Sequence, residues 1–369
     1  MSEVEVKIKD LPMRGVRPLP LHIALALSDI SKGFLEDNPL FIEGIQKYIN
    51  HAFRRQNPEL STIWESDGIK VLYKPSELEK IKHSIFLIPS LVNGAEILDL
   101  LPDNSFINWL SGEGYDVYLC DWGDISKNSP DLSMEGLITE KLIPAIECVK
   151  SRSGNHLHGL GYCMGGTLLA ASAVIKEDAF DRLIFLASPW DFFGGDRILQ
   201  KHICASSPYA MDMISAKGHL PMEWIQSAFV AVNGSRAKDK FIKFAKMDQD
   251  SEQAHLFVAV EDWLNEGRAL AKDIAFQCVQ QWYGSNVTAN GRWIVAGNLI
   301  NISKITCPTL IIASENDHLV PYASSIALAE EINGAEILSI KSGHIGMITG
   351  KNALKDMWLP LHEWISGKS

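Results

Sequence analysis

Short, unbroken apolar runs alternate along most of this chain with segments whose apolar residues recur at helical spacing, and that alternation leaves few folds open. The runs occupy residues 70–73, 84–88, 116–120, 156–159, 183–187, 309–313 and 336–340. Continuous runs of this length suit strands covered on both faces. Helical patterns fall between most of them, at 105–112, 135–150, 167–174, 324–332 and 351–364. Strand followed by helix, several times over, predicts an α/β fold with a mainly parallel sheet.

The rhythm breaks once. Between Ala187 and Thr309 about 120 residues carry no convincing buried strand, far more than a crossover helix and its loops need. Aromatic residues crowd this interval, among them Trp190, Tyr209, Trp224, Phe241, Phe257 and Trp282. Most of these rings suit a second core, and together they predict a helical cap inserted at 191–300. The expected organisation is therefore a helical N-terminal segment at 1–65, with helices at 22–34 and 39–54, a core assembled from 66–190 and 301–369, and the cap between its halves.

Charge and cysteine usage narrow the function classes. Among 369 residues, 34 basic against 45 acidic give a net charge of −11 at pH 7, which argues against a broad grip on nucleic acid or anionic lipid. The first residues mix charges without an apolar segment, and the longest apolar stretches, such as 85–88 and 257–260, fall far short of the roughly 20 residues a bilayer span needs. A cytoplasmic protein with no membrane span is expected. Six cysteines, Cys120, Cys148, Cys163, Cys204, Cys278 and Cys307, are scattered without a Cys-x-x-Cys pair, so neither a disulfide frame nor a metal site is expected. All but Cys163 read as buried small hydrophobes.

Cys163 differs because of its setting. The strand at 156–159 leads into Gly161, Tyr162, Cys163, Met164, Gly165 and Gly166, and a helical pattern starts at Thr167. Strand, sharp turn and helix make a nucleophile elbow, with cysteine where hydrolases usually carry serine. The glycines two positions to either side let strand and helix approach while the nucleophile sits in a strained backbone conformation. Such a nucleophile needs a base and an orienting acid, which in this architecture follow in the order nucleophile, acid, base on loops after later strands. Asp317 follows the strand ending at Ala313, and His344 follows the strand ending at Ile340. Alone, Asp317 could be a surface turn and His344 a core histidine; their joint order and strand context favour the acid and the base. Asp191, after the strand at 183–187, is the competing acid, and His318 beside Asp317 reads as structural or substrate-facing rather than as the base. An oxyanion would be held by the backbone N–H of Met164 and by that of Leu91 or Val92 in the loop 89–93, where Asn93 is a further substrate-facing candidate.

The choice of cysteine has a thermodynamic consequence. An acyl group on sulfur is a thioester, so loading from a coenzyme A thioester is a near-isoenergetic exchange and transfer onward to a hydroxyl is downhill. That favours acyl transfer over hydrolysis, with no cofactor beyond coenzyme A as part of the substrate.

With these residues in view, the chain resembles the polyhydroxyalkanoate synthases, a branch of the α/β-hydrolase superfamily. The matching segments are 89–93, 97–100, Ser105 and Phe106 with Trp109 and Leu110, 114–119, 121–123, 161–166, Asp191 with Phe192, 261–263, 317–321 and 343–346. The resemblance implies an α/β-hydrolase fold with Cys163, Asp317 and His344 as the catalytic set. It implies 3-hydroxyacyl-CoA as substrate, released coenzyme A and a growing polyester chain or granule as products, and no metal. The length resembles the short synthases that act with a smaller second subunit, and a homodimer is expected, in the cytoplasm at the granule surface. Departures lie in the loop, which reads Pro89, Ser90 where the family has two prolines, and Gly94, Ala95, Glu96 where it has a basic residue and tyrosines. An acyl-CoA thioesterase or polyester hydrolase of the same fold, and a catalytically silent scaffold on polyester granules, stay open as alternatives.

Overall fold

Val71, Ile85, Phe86, Leu87, Val117, Leu160, Leu183 and Ile311 are all buried, and they lie on the strands of one sheet. The computed structural model describes residues 17, 39–56, 60–79, 83–154 and 156–367. In chain order the strands are β1 (Ser61–Ser66), β2 (Ile69–Lys74), β3 (His83–Ile88), β4 (Tyr115–Asp121), β5 (Leu157–Tyr162), β6 (Arg182–Leu186), β7 (Thr309–Ser314) and β8 (Glu336–Ile340). Across the sheet they run β1, β2, β4, β3, β5, β6, β7, β8. β2 is antiparallel to both its neighbours and every other pairing from β4 onward is parallel. The expected α/β architecture with a mainly parallel sheet is borne out, and each of the seven apolar runs falls on a strand.

Helices fill the crossovers where the patterns put them: Phe106–Gly112, a helical stretch from Met134 to Arg152, Met164–Ile175, Tyr322–Glu331, and a last stretch from Leu354 to Ile365. The first starts on a side-chain cap, Ser105 Oγ accepting from the Asn108 N–H at 2.8 Å. The helix after β5 is apolar nearly all round and buried from Met164 to Val174, because it lies in the layer between sheet and outer helices.

Two expectations about organisation need correction. The boundary at 65/66 falls inside β1, which pairs with β2 along the sheet edge. Its sequence, Ser-Thr-Ile-Trp-Glu-Ser, offers only Ile63 and Trp64 as apolar residues, because an edge strand needs little burial. Nor is 191–300 one contiguous cap: the chain divides into two compact units, and Gly234–Asn265 groups with residues up to Arg54.

In that smaller unit the helix Pro39–Asn50 presents Phe41, Ile45 and Tyr48 on one face, at i, i+4 and i+7, to Phe241, Phe244, Ala254 and Val258. Asp262 accepts from Tyr48 Oη at 2.8 Å and pairs with Arg17 at 2.7 Å. The burial of Tyr48 and its contact with this carboxylate push the phenol well above its ordinary range. The helix expected at 22–34 lies outside the described residues. In the larger unit, the remainder of the interval supplies the helices Ile198–Lys217 and Lys272–Phe276, the latter continuing through Tyr283, and the antiparallel pair formed by His219–Leu220 and Leu270–Ala271. Cys120 and Cys278 are buried as expected, whereas Cys148, Cys204 and Cys307 are only partly so.

Candidate active site

The turn from β5 into the helix Met164–Ile175 forces Cys163 to φ 55° and ψ −129°, a conformation that side chains rarely adopt. It survives because both flanks are fixed. The Cys163 N–H donates to Leu186 O at 2.9 Å, carrying the ladder one residue past β5, and Cys163 O accepts from the Gly166 N–H at 2.9 Å. A Cβ on Gly161 would fall on the backbone of Gly166, and one on Gly165 would fall on the carbonyl oxygens of Ile88 and Pro89. The elbow helix therefore starts pressed against the end of β3 and the loop after it, which no side chain at these positions would permit.

Asp317 and His344 arrive from the ends of β7 and β8. Ser314, at the end of β7, locks their loops together: its Oγ accepts from the Ser342 N–H at 3.0 Å and from the Asn316 N–H at 3.2 Å, and donates to Ser342 O. His344 Nδ1 lies 2.6 Å from Asp317 Oδ2. The other carboxylate oxygen of Asp317 accepts from the N–H groups of Leu319 at 2.9 Å and Val320 at 3.0 Å, so the acid is fully engaged and its side chain has no exposed surface. On its other flank, Cys163 lies within electrostatic reach of the His344 imidazole. Burial opposes a proton on this imidazole, but the carboxylate of Asp317 and the neighbouring Cys163 outweigh it and push the His344 pKa up to about 10. His344 and Asp317 thus form one hydrogen-bonded pair, with Cys163 within its electrostatic reach.

Asp191 is elsewhere. Its Oδ1 accepts from Asn286 Nδ2 at 2.7 Å and from the Phe193 N–H at 2.8 Å, while Asn286 Oδ1 accepts from the Phe192 N–H at 2.9 Å. These bonds fasten the start of the inserted interval to the segment after Tyr283, a structural task. His318 is half-buried in the turn beside Asp317.

Leu91, Val92 and Met164 are buried where the loop after β3 meets the elbow helix. Among the described residues, no backbone acceptor takes the N–H of any of the three. For Met164 this follows from its place at the first turn of a helix, whose leading N–H groups have no partner within the helix. The loop is anchored from the other side by Pro89 O, which accepts from Trp122 Nε1 at 3.0 Å. Asn93 is half-buried on the same loop.

Two tyrosines were overlooked in the sequence. Tyr162, the last residue of β5, stacks on His344 with ring centroids 5.1 Å apart and an interplanar angle of 26°, and its hydroxyl donates to His344 O at 3.3 Å. Its place between two glycines in the elbow was visible, but its ring's target on a distant loop was not. Tyr283, from the inserted interval, lies close enough to Cys163 and Asp317 for their charges to join burial in raising its phenol well above the ordinary range. Cys163 itself is half-buried and packs against the main core.

Comparison with known proteins bears on the fold and the family. The family described as alpha/beta hydrolase fold matches residues 90–351. Among curated proteins, the poly(3-hydroxyalkanoate) polymerase subunit PhaC of Haloferax mediterranei is 25% identical over 83% of this chain and 63% of its own length, and that of Haloarcula marismortui 26% identical over 83% and 64%. The chain thus spans less than two thirds of these two relatives. The equivalent subunit of Allochromatium vinosum is 25% identical over 76% of this chain and 80% of its own length. The resemblance read from the motifs therefore extends over most of the chain. Among solved structures, a carboxylesterase from Nitrososphaera gargenis superimposes with a TM-score of 0.50 at 14% identity, covering 84% of this chain and all of that one. A thermophilic esterase from Thermogutta terrifontis gives 0.50 at 12% identity over 85% and 99%. Both share the fold.

Proposed function

This chain belongs to the α/β-hydrolase fold family, and from that premise we propose that it is a polyhydroxyalkanoate synthase, an acyltransferase that polymerises 3-hydroxyacyl-CoA through an acyl group held on Cys163. The observation that carries the reading is the cysteine held in a strained elbow conformation, within electrostatic reach of a histidine that Asp317 orients. The polymerase names of the sequence relatives support it.

In the first half-reaction His344 holds the proton taken from Cys163, and the thiolate attacks the thioester carbonyl. Negative charge develops on the carbonyl oxygen, opposite the N–H of Met164 and of Leu91 or Val92. The bond to the coenzyme A sulfur then breaks, and the proton on His344 leaves with it as free thiol. In the second half-reaction the hydroxyl of a chain end or second monomer gives its proton to His344 and attacks the Cys163 thioester. An ester bond forms, the carbon–sulfur bond breaks, and the thiolate is returned. Asp317 keeps the imidazole in one orientation and stabilises its charged form throughout. His318 and Asn93 are proposed to face the substrate.

The same reading carries a growing polyester, its granule surface, a second copy and a smaller subunit as partners in the cytoplasm. No helix among the described residues is long and apolar enough to cross a membrane. One observation favours the hydrolase alternative: Cys163 is half-buried rather than sealed, so water has a route to the acyl group. Incubation with 3-hydroxybutyryl-CoA separates the cases. Coenzyme A release with polymer supports the synthase, release with free hydroxy acid means a thioesterase, and no release means a scaffold.

A further inference from the structure

The loop that carries Leu91 and Val92 contains no glycine between Pro89 and Asn93 and belongs to no helix or strand, so its amides are not oriented by regular structure. Arg268 grips it from outside. The Arg268 N–H donates to Val92 O at 2.8 Å. Its guanidinium donates to Asp121 Oδ1 at 3.2 Å and to Gly123 O, and lies 3.7 Å from Glu96 Oε1. The loop is thus held at Val92 through the main chain and just beyond Asn93 through charge, with both points tied to the C-terminal end of β4. Neighbouring Gly267 closes against the same loop: a Cβ there would stand 3.0 Å from Met222 and 3.6 Å from Asn93 Nδ2. Two residues after Arg268, Leu270–Ala271 pairs with His219–Leu220, so the grip also joins the loop to the inserted helices. Glu96 belongs to the Gly94, Ala95, Glu96 stretch in which this chain departs from the synthase pattern, and Arg268 meets that departure with an opposite charge.

We propose that Arg268 is a positioning residue: through Val92 and Glu96 it sets the backbone donors of the loop 89–93 at the distance a developing oxyanion requires. This rests on the acyl-transfer reading of Cys163. A donor aimed at the oxyanion acts only if it is held in place before the charge appears, and deleting one costs about 10²–10³ in turnover. Arg268 does not touch the reacting atoms, so its loss should act through the loop and cost less. The planar guanidinium reaches Asp121, Gly123 and Glu96 together; an ammonium group meets fewer of them.

The test uses the full chain with Arg268→Met and Arg268→Lys, both of which keep the main-chain bond to Val92. Three quantities are read: hydrogen exchange of amides 89–96, the rate and KM of Cys163 acylation by 3-hydroxybutyryl-CoA, and Cys163 alkylation by iodoacetamide, which needs no oxyanion donor. The proposal expects faster exchange in the loop, acylation about 30-fold slower in Arg268→Met with KM within twofold, partial recovery in Arg268→Lys, and unchanged alkylation. Unchanged exchange overturns the clamp, and faster exchange with normal acylation overturns its catalytic consequence. Alkylation falling in parallel with acylation means a general structural role and overturns the positioning role. A wild-type protein that takes no acyl group overturns the acyl-transfer reading and the catalytic half of this proposal with it, while the exchange difference still decides whether the clamp exists.

Discussion

Replacing Asp317 by asparagine removes the charge that does most to hold a proton on His344 against burial, while keeping the side chain's size. The carboxylate lies 2.6 Å from Nδ1, and His344 holds its proton up to about 10 against an ordinary value of 6.5. Two unit charges about 4 Å apart at an effective dielectric of about 20 attract by about 4 kcal/mol. At 1.36 kcal/mol per unit that is about three pH units. Burial, which works against the proton, stays in place. In Asp317→Asn the His344 transition should therefore fall from about 10 to near 7, and turnover should drop about 10³-fold because the imidazolium formed in both half-reactions loses the same stabilisation. The assay is NMR titration of protein carrying ¹⁵N-histidine, with His344 assigned by the signal missing in His344→Gln. Asp191→Asn is the control and should leave the transition where it is. A wild-type His344 that titrates near 6.5, or one that moves in Asp191→Asn and not in Asp317→Asn, would refute the reasoning.

Further predictions concern the elbow and its pH dependence. Cys163→Ala should abolish covalent labelling by acyl-CoA, and Cys163→Ser should turn over weakly because His344 must then activate a far less acidic hydroxyl; label retained in the alanine variant would move the nucleophile elsewhere. Gly161→Ala drives a methyl group into the backbone of Gly166, and an overpacking cost of about 1–3 kcal/mol should appear in denaturant unfolding together with loss of labelling; a variant of wild-type stability would mean the elbow has room that the geometry denies it. Because the pKa of His344 is raised on folding, its contribution to stability is fully present below about 6.5 and is lost as pH rises through about 10. Melting curves of wild type and His344→Gln should accordingly converge across that window, and a gap that widens with pH would reverse the sign of the shift.

The site was more legible in the sequence than the domain organisation, for physical reasons. Gly161 and Gly165 stand where a side chain would collide with backbone, and that requirement is local enough to leave a motif. Asp317 and His344 could be found because a parallel sheet gathers strand ends at one edge, so position after a strand substitutes for distance. β1 left little trace because an edge strand with a burial pattern open to solvent needs no apolar run. The smaller unit was invisible because Phe41 and Tyr48 pack on Phe241 and Phe244 across about 200 residues of chain, and each side alone reads as an ordinary amphipathic helix. Tyr162 and Arg268 were missed for the same reason: their partners, His344 for one and Val92, Glu96 and Asp121 for the other, lie far away in the chain.

The central claim is that an acyl group leaves coenzyme A, rests on Cys163 and moves to a hydroxyl. Rapid-quench mass spectrometry of the protein mixed with 3-hydroxybutyryl-CoA tests it directly, with product size followed in the same samples. The account predicts a 3-hydroxybutyryl adduct on the peptide bearing Cys163, formed as coenzyme A appears and followed by oligomeric ester. Coenzyme A release with no adduct on Cys163, or an adduct that decays only to free hydroxy acid, would contradict it.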